Sequence, residues 1–363
     1  MKIVDIKVGR ISIPLKKPFK TAVSTVYDVN NVLVKIITDT GNIGYGEAPP
    51  TGIITGDTAG GIIGAIEDHI KKNLIGMDIE NFEEIMQRLN KSVIKNNSAK
   101  AAIDIALYDL HGQFYKAPVY KLLGGYRKEI TTDLTISVND PEEMAKDSIE
   151  AVKLGYKTLK IKVGKDVAMD VKRMRAIRLA VGYDVALRID ADQGWTPKEA
   201  VVNLRKIENA GIGIEFVEQP VPGYDLDGLK FVTDNVSMPV LADESTFSPM
   251  DAMKIMQMRA ADLINIKLMK TGGIHNALKI CTIAETYGVE CMIGCLLESK
   301  ISVTAAVHLA AARGIITKID LDGPMLCKED PIDGGAIFKD SKITVTDDHG
   351  FGIKGINGVV WKE

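Results

Sequence analysis

Cysteine is scarce in this sequence and confined to its later part. The 363 residues contain four cysteines, the first at Cys281 and the last at Cys327. Cys291 and Cys295 form a C-x3-C pair, but the pair has no second half and lies in an apolar stretch, so we expect buried thiols rather than a metal site. The low cysteine content argues against a disulfide framework and suits a reduced, cytoplasmic protein.

Long apolar runs and an excess of one charge are missing as well. The N-terminus alternates apolar and charged residues and lacks the apolar run of roughly 7 to 15 residues that a signal peptide needs. No stretch reaches the roughly 20 apolar residues of a membrane span. The formal net charge is −3 with both signs interspersed, so we expect no nucleic-acid partner and no membrane partner. A small-molecule substrate is the better expectation.

The chain shows two patterns of secondary structure, and its length suits two domains or one large barrel with an accessory domain. In the first pattern, "NVLVKIITDTGNIGYGEA" predicts a hairpin that turns at Gly41, and "SAKAAIDIALYDLHGQ" predicts a helix from Ser98 to near Gly112. In the second, short apolar strands alternate with helix-length segments, which is typical of parallel βαβ units. The predicted strands are "TTDLTISV", "TLKIKV", "ALRIDAD", "FVEQP", "VLADES", "LINIKLM", "ECMIGCL" and "TKIDLDG". Eight such units favour a (β/α)8-type barrel over an open doubly wound sheet.

Charged residues recur at the ends of the predicted barrel strands. In "TLKIKVG", Lys160 and Lys162 share one face of the strand and the apolar residues share the other. Because ammonium groups are rarely buried without partners, we expect the lysines to face the barrel axis at the carboxyl end, where active sites of this fold lie. The other charged residues in this position are Asp190, Asp192, Glu218, Asp243, Lys267, Asp320 and Asp322. We interpret the set as a functional site rather than a structural ion network.

Three of these carboxylates predict a metal site. Asp190, Glu218 and Asp243 come from consecutive strands, and like charges that converge are unfavourable unless a cation neutralises them. Ligation by oxygen alone suits a hard divalent ion, with Mg2+ first and Mn2+ second. The five histidines show no ligand spacing, so zinc is not expected.

Two of the lysines predict proton transfer. Lys162 and Lys267 come from the second and sixth of the eight strands, which stand across a barrel from each other. Two amines that face one another over a substrate can remove a proton from one face of a carbon and return one to the other. For this we expect Lys160 and the metal to lower the pKa of Lys162. The predicted reaction is proton abstraction next to a carboxylate.

These residues resemble a known family. The segments "LKIKVG", "DADQGW", "VEQPV", "ADES" and "NIKLMKTGG", in this order, are similar to those of the enolase superfamily, muconate lactonizing subgroup, and "AKAAIDIALYDLHG" and "LLGG" extend the resemblance over nearly the whole chain. The resemblance implies a modified (β/α)7β barrel at residues 126–334. It also implies an α+β capping domain at residues 1–125, completed by a C-terminal segment from about residue 335 to 363.

The resemblance also implies roles for single residues. It assigns Mg2+ to Asp190, Glu218 and Asp243, and acid/base catalysis to Lys162 and Lys267. Lys160 would assist at the substrate carboxylate. The family usually has Asp-Ala-Asn where this chain has Asp190-Ala191-Asp192, a difference that concerns the third position and not the first. We further expect a homo-oligomer.

The eighth strand narrows the substrate class. "IDLDGP" resembles the dipeptide epimerases, in which an Asp-x-Asp pair, here Asp320 and Asp322, binds the free α-ammonium of the N-terminal residue. Two carboxylates within reach of one ammonium can form charge-assisted hydrogen bonds with it. The expected reaction is therefore inversion of the α-carbon of the C-terminal residue of a dipeptide. A capped strand end without substrate contact is the alternative interpretation of the pair.

Two capping loops predict the preferred side chain. Members that act on Ala-Glu resemble this chain in "FKTAVSTVYD" but have an arginine where Ser24 stands, and a serine cannot neutralise a glutamate side chain. We therefore expect hydrophobic or aromatic C-terminal residues to be preferred over Glu, with Lys20 as the one cation that could reach the same space. The specificity positions so predicted are Ser24, Tyr27, Ile53, Ile54, Leu297 and Glu298.

Rival functions use the same scaffold or the same lysines. Muconate cycloisomerisation, o-succinylbenzoate synthesis and epimerisation of L-Ala-D/L-Glu are the alternatives within the subgroup, and the first two substrates have no ammonium for Asp320 and Asp322. Acid-sugar dehydratases need a histidine where this chain has Lys267. A metal-free Schiff-base aldolase with a barrel lysine is the rival from another class, and a non-catalytic binding protein would leave the convergent charges unexplained.

Overall fold

Alternating apolar residues in the first fifty positions build an antiparallel sheet. The computed structural model describes residues 1–20, 25–164 and 166–362. Its first strands are β1 (Ile3–Lys20), β2 (Thr25–Thr38) and β3 (Ile43–Ala48). β2 and β3 pair as the predicted hairpin, with Gly41 at a positive φ of 82° in the turn. The sheet turns its apolar face to the helices that follow and so begins a separate N-terminal domain.

Helices complete this N-terminal domain. They are α1 (Ala59–Gly64), α2 (Lys71–Leu74), α3 (Phe82–Ser92), α4 (Asn97–Phe114) and α5 (Val119–Leu122), with a π-helical stretch at Ala65–Ile70 between the first two. The predicted helix corresponds to α4 and begins one residue earlier than expected. Most of its side chains are buried, because it lies between the sheet and the second domain.

The predicted barrel is confirmed. After β4 (Glu129–Thr131), eight strands form one parallel sheet. They are β5 (Leu134–Ile136), β6 (Thr158–Lys162), β7 (Ala186–Asp190), β8 (Ile214–Glu218), β9 (Val240–Ala242), β10 (Leu263–Lys267), β11 (Glu290–Gly294) and β12 (Ile316–Asp320). The sheet is nearly closed, because the N–H of Asp133 donates to the carbonyl of Ile319 (3.2 Å) and the N–H of Leu321 to Oγ1 of Thr132 (2.8 Å).

The helices surround the barrel, and the sequence sets where several of them begin. They are α6 (Pro141–Lys153), α7 (Val167–Val181), α8 (Pro197–Asn209), α9 (Leu226–Asn235), α10 (Pro249–Met258), α11 (Leu268–Thr271), α12 (Ile274–Tyr287), α13 (Lys300–Ala312) and α14 (Gly323–Leu326). Thr196 and Glu199 form a capping box at α8, and Ser248 caps α10, each with a proline in the first turn. Such caps fix the loops at the carboxyl ends of the strands.

Two buried carboxylates of the N-terminal domain hold the barrel helices. Glu47, in β3, accepts hydrogen bonds from the N–H groups of Ser299 (2.7 Å) and Ser302 (3.1 Å) at the start of α13. Asp104, in α4, accepts from the N–H groups of Ile274 (2.6 Å) and His275 (3.2 Å) at the start of α12. Negative charge at helix N-termini is stabilising, although burial raises the pKa of Asp104 to about 8.

The C-terminal segment joins both parts of the molecule. β13 (Ile332–Gly334) pairs with β16 (Ile353–Ile356), while β14 (Ile337–Lys339) and β15 (Lys342–Thr344) extend β4. β17 (Val360–Trp361) pairs with β1 at the edge of the N-terminal sheet. The domain limits at residues 125 and 334 stay a prediction. Within the described ranges, no helix has the length and apolar character needed to cross a bilayer.

Candidate active site

The register of the barrel strands brings charged side chains into one layer. Lys162 lies beside Asp190, and Asp190 lies beside Glu218, in three neighbouring strands. Farther round the sheet, Lys267 and Asp320 flank Gly294 of β11. All of them stand at the carboxyl end of their strand, and Asp243 follows the end of β9. The expected constellation is therefore brought together at the edge where reactions occur in this fold.

Lys160 lies at the centre of the carboxylates. Its Nζ is 3.0 Å from Oδ2 of Asp190, 2.7 Å from Oε2 of Glu218 and 2.8 Å from Oδ2 of Asp320. Burial lowers the pKa of Lys160, but the three carboxylates outweigh burial and hold the pKa well above the usual value. In this arrangement Lys160 is a permanent cation at the bottom of the site.

Lys162 is held by two aspartates. Its Nζ donates to Oδ2 of Asp190 (2.8 Å) and to Oδ1 of Asp192 (2.7 Å). Burial lowers the pKa of Lys162, whereas Asp190 and Asp192 raise it more strongly, so the pKa lies above that of a free lysine. Lys160 lowers the pKa of Lys162 as expected, but the attraction of the two carboxylates exceeds this repulsion. The lowering by a bound metal stays a prediction.

Lys267 stands across the barrel, four strands away from Lys162 in the eight-stranded sheet. Its Nζ donates to Oδ2 of Asp243 at 2.6 Å. Burial lowers the pKa of Lys267, but Asp243 and Glu218 raise it above the usual value. Gly294 leaves room for this side chain, since a Cβ there would come within 3.0 Å of Cε of Lys267. The two amines thus lie on opposite sides of the same layer.

The three carboxylates proposed as metal ligands fit a hard cation in chemistry and burial. Asp190, Glu218 and Asp243 are each at most 2% exposed, and the donor atoms that they offer are all oxygens. Oε2 of Glu218 and Oδ1 of Asp243 are buried, and each contacts an ammonium group, Nζ of Lys160 at 2.7 Å and Nζ of Lys270 at 2.5 Å. Burial and the neighbouring carboxylates raise the pKa of Glu218 well above its usual value, as expected where negative charges converge.

The three carboxylates do not form a complete coordination shell in this structure. Across residues 1–20, 25–164 and 166–362, no group of three or more His, Cys, Asp or Glu side chains is arranged so that it could hold a metal ion. The ammonium groups of Lys160 and Lys267 contact the carboxylates instead. The fit to Mg2+ therefore rests on the donor set, which consists of three buried carboxylates whose charged partners in this structure are ammonium groups.

Asp320 and Asp322 are both buried at the end of β12. Asp320 contacts Lys160, while Oδ2 of Asp322 accepts a hydrogen bond from the N–H of Thr135 at 2.8 Å. Burial and the charge of Asp320 raise the pKa of Asp322 to about 6. Both carboxylates therefore have contacts within the protein. In the described structure the pair has only one ammonium partner, Lys160.

The predicted specificity positions differ in exposure. Tyr27 is 65% exposed and Ile53 is 72% exposed, whereas Ile54 and Leu297 are partly buried. Glu298 is buried, accepts a hydrogen bond from the N–H of Leu296 (2.7 Å), and has its pKa raised to about 7 by burial. Ser24 lies outside the described residues.

A supporting layer of polar residues was missed from the sequence. Asn265 donates to Oε1 of Glu218 (2.8 Å), and Gln219 accepts from the N–H of Asp243 (2.8 Å). Lys270 lies 2.5 Å from Oδ1 of Asp243. A usable signal was present, because Asn265 and Lys270 are polar residues inside an apolar run that flanks Lys267.

Comparison with known proteins identifies the family. Residues 3–124 match the model of the mandelate racemase / muconate lactonizing enzyme N-terminal domain, and residues 143–355 match the enolase C-terminal domain-like model. The chain therefore belongs to the enolase superfamily, in its mandelate racemase and muconate lactonizing group, and the predicted resemblance is confirmed. Its relatives are epimerases and racemases, so this protein is an isomerase of that kind.

Individual relatives narrow the comparison. An L-Ala-D/L-Glu epimerase of Clostridium acetobutylicum is 65% identical over 357 residues, covering 98% of this chain and 100% of that protein. A substrate-liganded L-Ala-D/L-Glu epimerase of Bacillus subtilis superposes with a TM-score of 0.96 at 50% identity, over 98% of this chain and 99% of the other. A dipeptide epimerase of Enterococcus faecalis, complexed with Mg and L-Leu-L-Tyr, gives a TM-score of 0.94 at 44% identity, over 98% and 100%.

Proposed function

We propose that the protein is a Mg2+-dependent dipeptide epimerase that inverts the α-carbon of the C-terminal residue. One observation carries the proposal: Lys162 and Lys267 stand on opposite sides of a layer that also contains Asp190, Glu218 and Asp243. An isomerase that inverts one carbon needs a proton donor and acceptor on each face of that carbon. The relatives named as dipeptide epimerases, one of them complexed with Mg, support the same class.

The lysines have distinct tasks in this proposal. Asp190 and Asp243, once engaged by Mg2+, would attract the two amines less, so the pKa values of Lys162 and Lys267 would fall. One of these lysines, in its neutral form, removes the α-proton, and the other, in its protonated form, delivers a proton to the opposite face. Lys160 stays protonated, because three carboxylates contact it, and so offers a fixed positive charge to the substrate carboxylate. Mg2+ held by Asp190, Glu218 and Asp243 supplies further positive charge where negative charge develops during proton abstraction. Mn2+ takes the same oxygen ligands and is the second candidate.

Asp320 and Asp322 are proposed to bind the α-ammonium of the substrate. Both carboxylates are at most 5% exposed, and a cation that pairs with them would offset the cost of keeping two negative charges in the interior. An N-acetylated dipeptide lacks that cation and leaves Asp322 without an ammonium partner in the described structure, while Asp320 keeps its contact with Lys160. We expect it to be a far worse substrate than the free dipeptide, and equal turnover of the two would remove the case for dipeptides.

A dipeptide library in D2O tests the reaction itself. The enzyme should incorporate one deuterium into the C-terminal residue of its substrates, read as a mass increase, and excess chelator should abolish the incorporation until Mg2+ is added back. Borohydride trapping that persists in chelator would instead indicate a Schiff-base enzyme. Binding of dipeptides without any exchange would indicate a binding protein.

The preferred side chain is proposed to be hydrophobic or aromatic. Tyr27, in β2, and Ile53, in the second capping loop, expose apolar side chains. The sequence has Ser24 where an arginine would be expected for a glutamate substrate. The L-Leu-L-Tyr complex of the Enterococcus faecalis enzyme agrees with such a preference. The 65% identical L-Ala-D/L-Glu epimerase favours Ala-Glu as the second candidate. Values of kcat/KM over a panel of Ala-X and X-Tyr dipeptides decide between the two preferences. A maximum at Ala-Glu would disprove the preference for hydrophobic or aromatic residues.

A further inference from the structure

Lys270 is a buried lysine that the proposed reaction does not use. It lies in α11, one helical turn after Lys267, and is fully buried. Its Nζ is 2.5 Å from Oδ1 of Asp243, donates to the carbonyl of Asn265 at 3.1 Å, and forms a short hydrogen bond with the carbonyl of Asp243. Two of the acceptors belong to Asp243, directly after β9, and the third belongs to Asn265, in the middle of β10, so this one ammonium links two neighbouring strands.

The contact divides the carboxylate of Asp243 between two cations. Oδ1 faces Lys270 and Oδ2 faces Lys267, at 2.5 Å and 2.6 Å. A carboxylate with a fixed ammonium on one oxygen cannot rotate freely, so its other oxygen keeps one direction toward Lys267. Asp243 is also a proposed metal ligand, and the position of its carboxylate therefore bears on both the metal and the amine.

The N-terminal domain holds the backbone of the same lysine. Asn97, at the start of α4, donates from Nδ2 to the carbonyl of Lys270 at 2.5 Å and to the carbonyl of Phe247 at 3.4 Å. The Nζ of Lys270 also lies 5.7 Å from the ring centre of Phe247. The side chain and the backbone of Lys270 are thus fixed from different domains, which leaves this residue little freedom to move.

We propose that Lys270 is a positioning residue for the Lys267 half of the active site, acting through Asp243. The inference rests on the proposed epimerase function and deepens it. Lys162 and its partners Asp190 and Asp192 have no contact with Lys270 in the described structure, so loss of Lys270 should affect one face of the substrate carbon more than the other. A residue that served only the stability of the barrel would affect both faces equally.

Solvent exchange of the two stereoisomers separates these cases. Lys162→Ala and Lys267→Ala first identify which stereoisomer each amine deprotonates. Lys270→Met keeps the length of the side chain and removes the ammonium. At saturating Mg2+ it should lower exchange at the Lys267 face about 10 to 100-fold more than at the Lys162 face, the usual effect of losing a ligand's hydrogen-bonding partner. Lys254→Met, an exposed lysine of α10, is the matched control and should leave both rates unchanged. Equal losses at both faces, or no loss, would overturn the proposal.

Calorimetric titration with Mg2+ gives a readout that needs no substrate. Lys270→Met should bind Mg2+ about 10 to 100-fold more weakly, because Asp243 loses its fixed direction. If Lys270 acted through charge alone, removing a cation would tighten Mg2+ binding, and that result would contradict a positioning role. Wild-type protein that exchanges no dipeptide would end the proposed function, while the titration would still test Lys270.

Asn97→Ala keeps the inference testable should Lys270→Met fail to fold. It removes only the hydrogen bonds to the carbonyls of Lys270 and Phe247 and leaves Nζ in place. We expect the same asymmetry between the two faces with a smaller amplitude, about threefold to tenfold, since one hydrogen bond contributes about 1 kcal/mol. A symmetric loss in a folded Asn97→Ala protein would count against the proposal.

Discussion

The two sides of the active site hold the same kind of amine in different ways. Lys162 shares its ammonium between two carboxylates, Asp190 and Asp192, and its side chain is 12% exposed. Lys267 has one carboxylate, Asp243, which it shares with a second lysine, and its side chain is 7% exposed. Asp190 also contacts Lys160, so the Lys162 side has two anions for two cations, whereas the Lys267 side has one anion for two cations.

This difference shows that a symmetric reaction does not need a symmetric site. Inversion of a carbon requires one proton-transferring group on each face, yet the neighbouring charges set how firmly each amine is held. Lys162 is restrained directly by its own partners, whereas the restraint on Lys267 passes through a carboxylate that Lys270 holds. Substitutions can therefore be chosen that change the restraint on Lys162 alone or on Lys267 alone.

The largest effect should follow from removing either amine. Lys162→Ala and Lys267→Ala should each lower epimerisation by about 10² to 10⁴-fold, the range that a positioned acid or base contributes. Each variant should still exchange the α-proton of one stereoisomer in D2O, detected by proton NMR, and the two should retain opposite stereoisomers. Epimerisation by a protein that lacks both amines would disprove the mechanism.

Substitution of the proposed metal ligands should have the next largest effect. Asp190→Asn and Asp243→Asn should each weaken Mg2+ binding and turnover by at least the roughly 10 to 100-fold that loss of a ligand's supporting partner costs. Asp190→Asn also removes a partner of Lys162, and Asp243→Asn removes the partner of Lys267. The residual exchange should therefore be lower on the Lys162 face in the first variant and on the Lys267 face in the second, measured at saturating Mg2+.

Full activity of either variant in excess chelator would contradict the metal assignment. Glu218→Gln provides the comparison, because Glu218 contacts Lys160 rather than either of the two proposed bases. Glu218→Gln should weaken Mg2+ binding and lower proton exchange to the same extent at both faces of the substrate carbon.

Asp192 offers the smallest and most local change. Asp192→Ala should lower exchange at the Lys162 face roughly threefold to tenfold, since a partly exposed ion pair is worth about 1 kcal/mol. Asp192→Asn keeps an acceptor oxygen for the ammonium and should recover most of that loss. Exchange at the Lys267 face, followed by NMR in the same samples, should stay at the wild-type rate. An equal fall in that rate would contradict the claim that the two amines are restrained independently.

The barrel and the main charged residues could be predicted because their signals are local. A strand such as "TLKIKVG" alternates apolar and charged side chains, and the alternation alone assigns Lys160 and Lys162 to one face. The order of the strands then places Asp190 beside Lys162, as the register confirms. The family resemblance, now confirmed, added the expectation that Asp320 and Asp322 bind the α-ammonium of a dipeptide, which the strand pattern alone did not give.

The pairing partners could not be predicted, because they depend on distances between residues far apart in the chain. The sequence separates Lys160 from Asp320 by 160 positions, and nothing local indicates that they lie 2.8 Å apart. The raised pKa of Lys162 was missed for the same reason, since it depends on how closely Asp190 and Asp192 approach. The loop that contains Ser24 stays a prediction.

The attachment of the N-terminal domain has a consequence for how selectivity can change. Glu47 and Asp104 bind the starts of two barrel helices, at sites separate from the exposed side chains of Tyr27, at the start of β2, and Ile53, in a capping loop. The residues that attach the N-terminal domain to the barrel are thus different from the exposed residues proposed to set substrate preference. New loop sequences can be acquired, by evolution or by grafting, while Glu47 and Asp104 keep the domain attached next to the residues proposed to transfer protons. Substrate preference and reaction chemistry can therefore change independently.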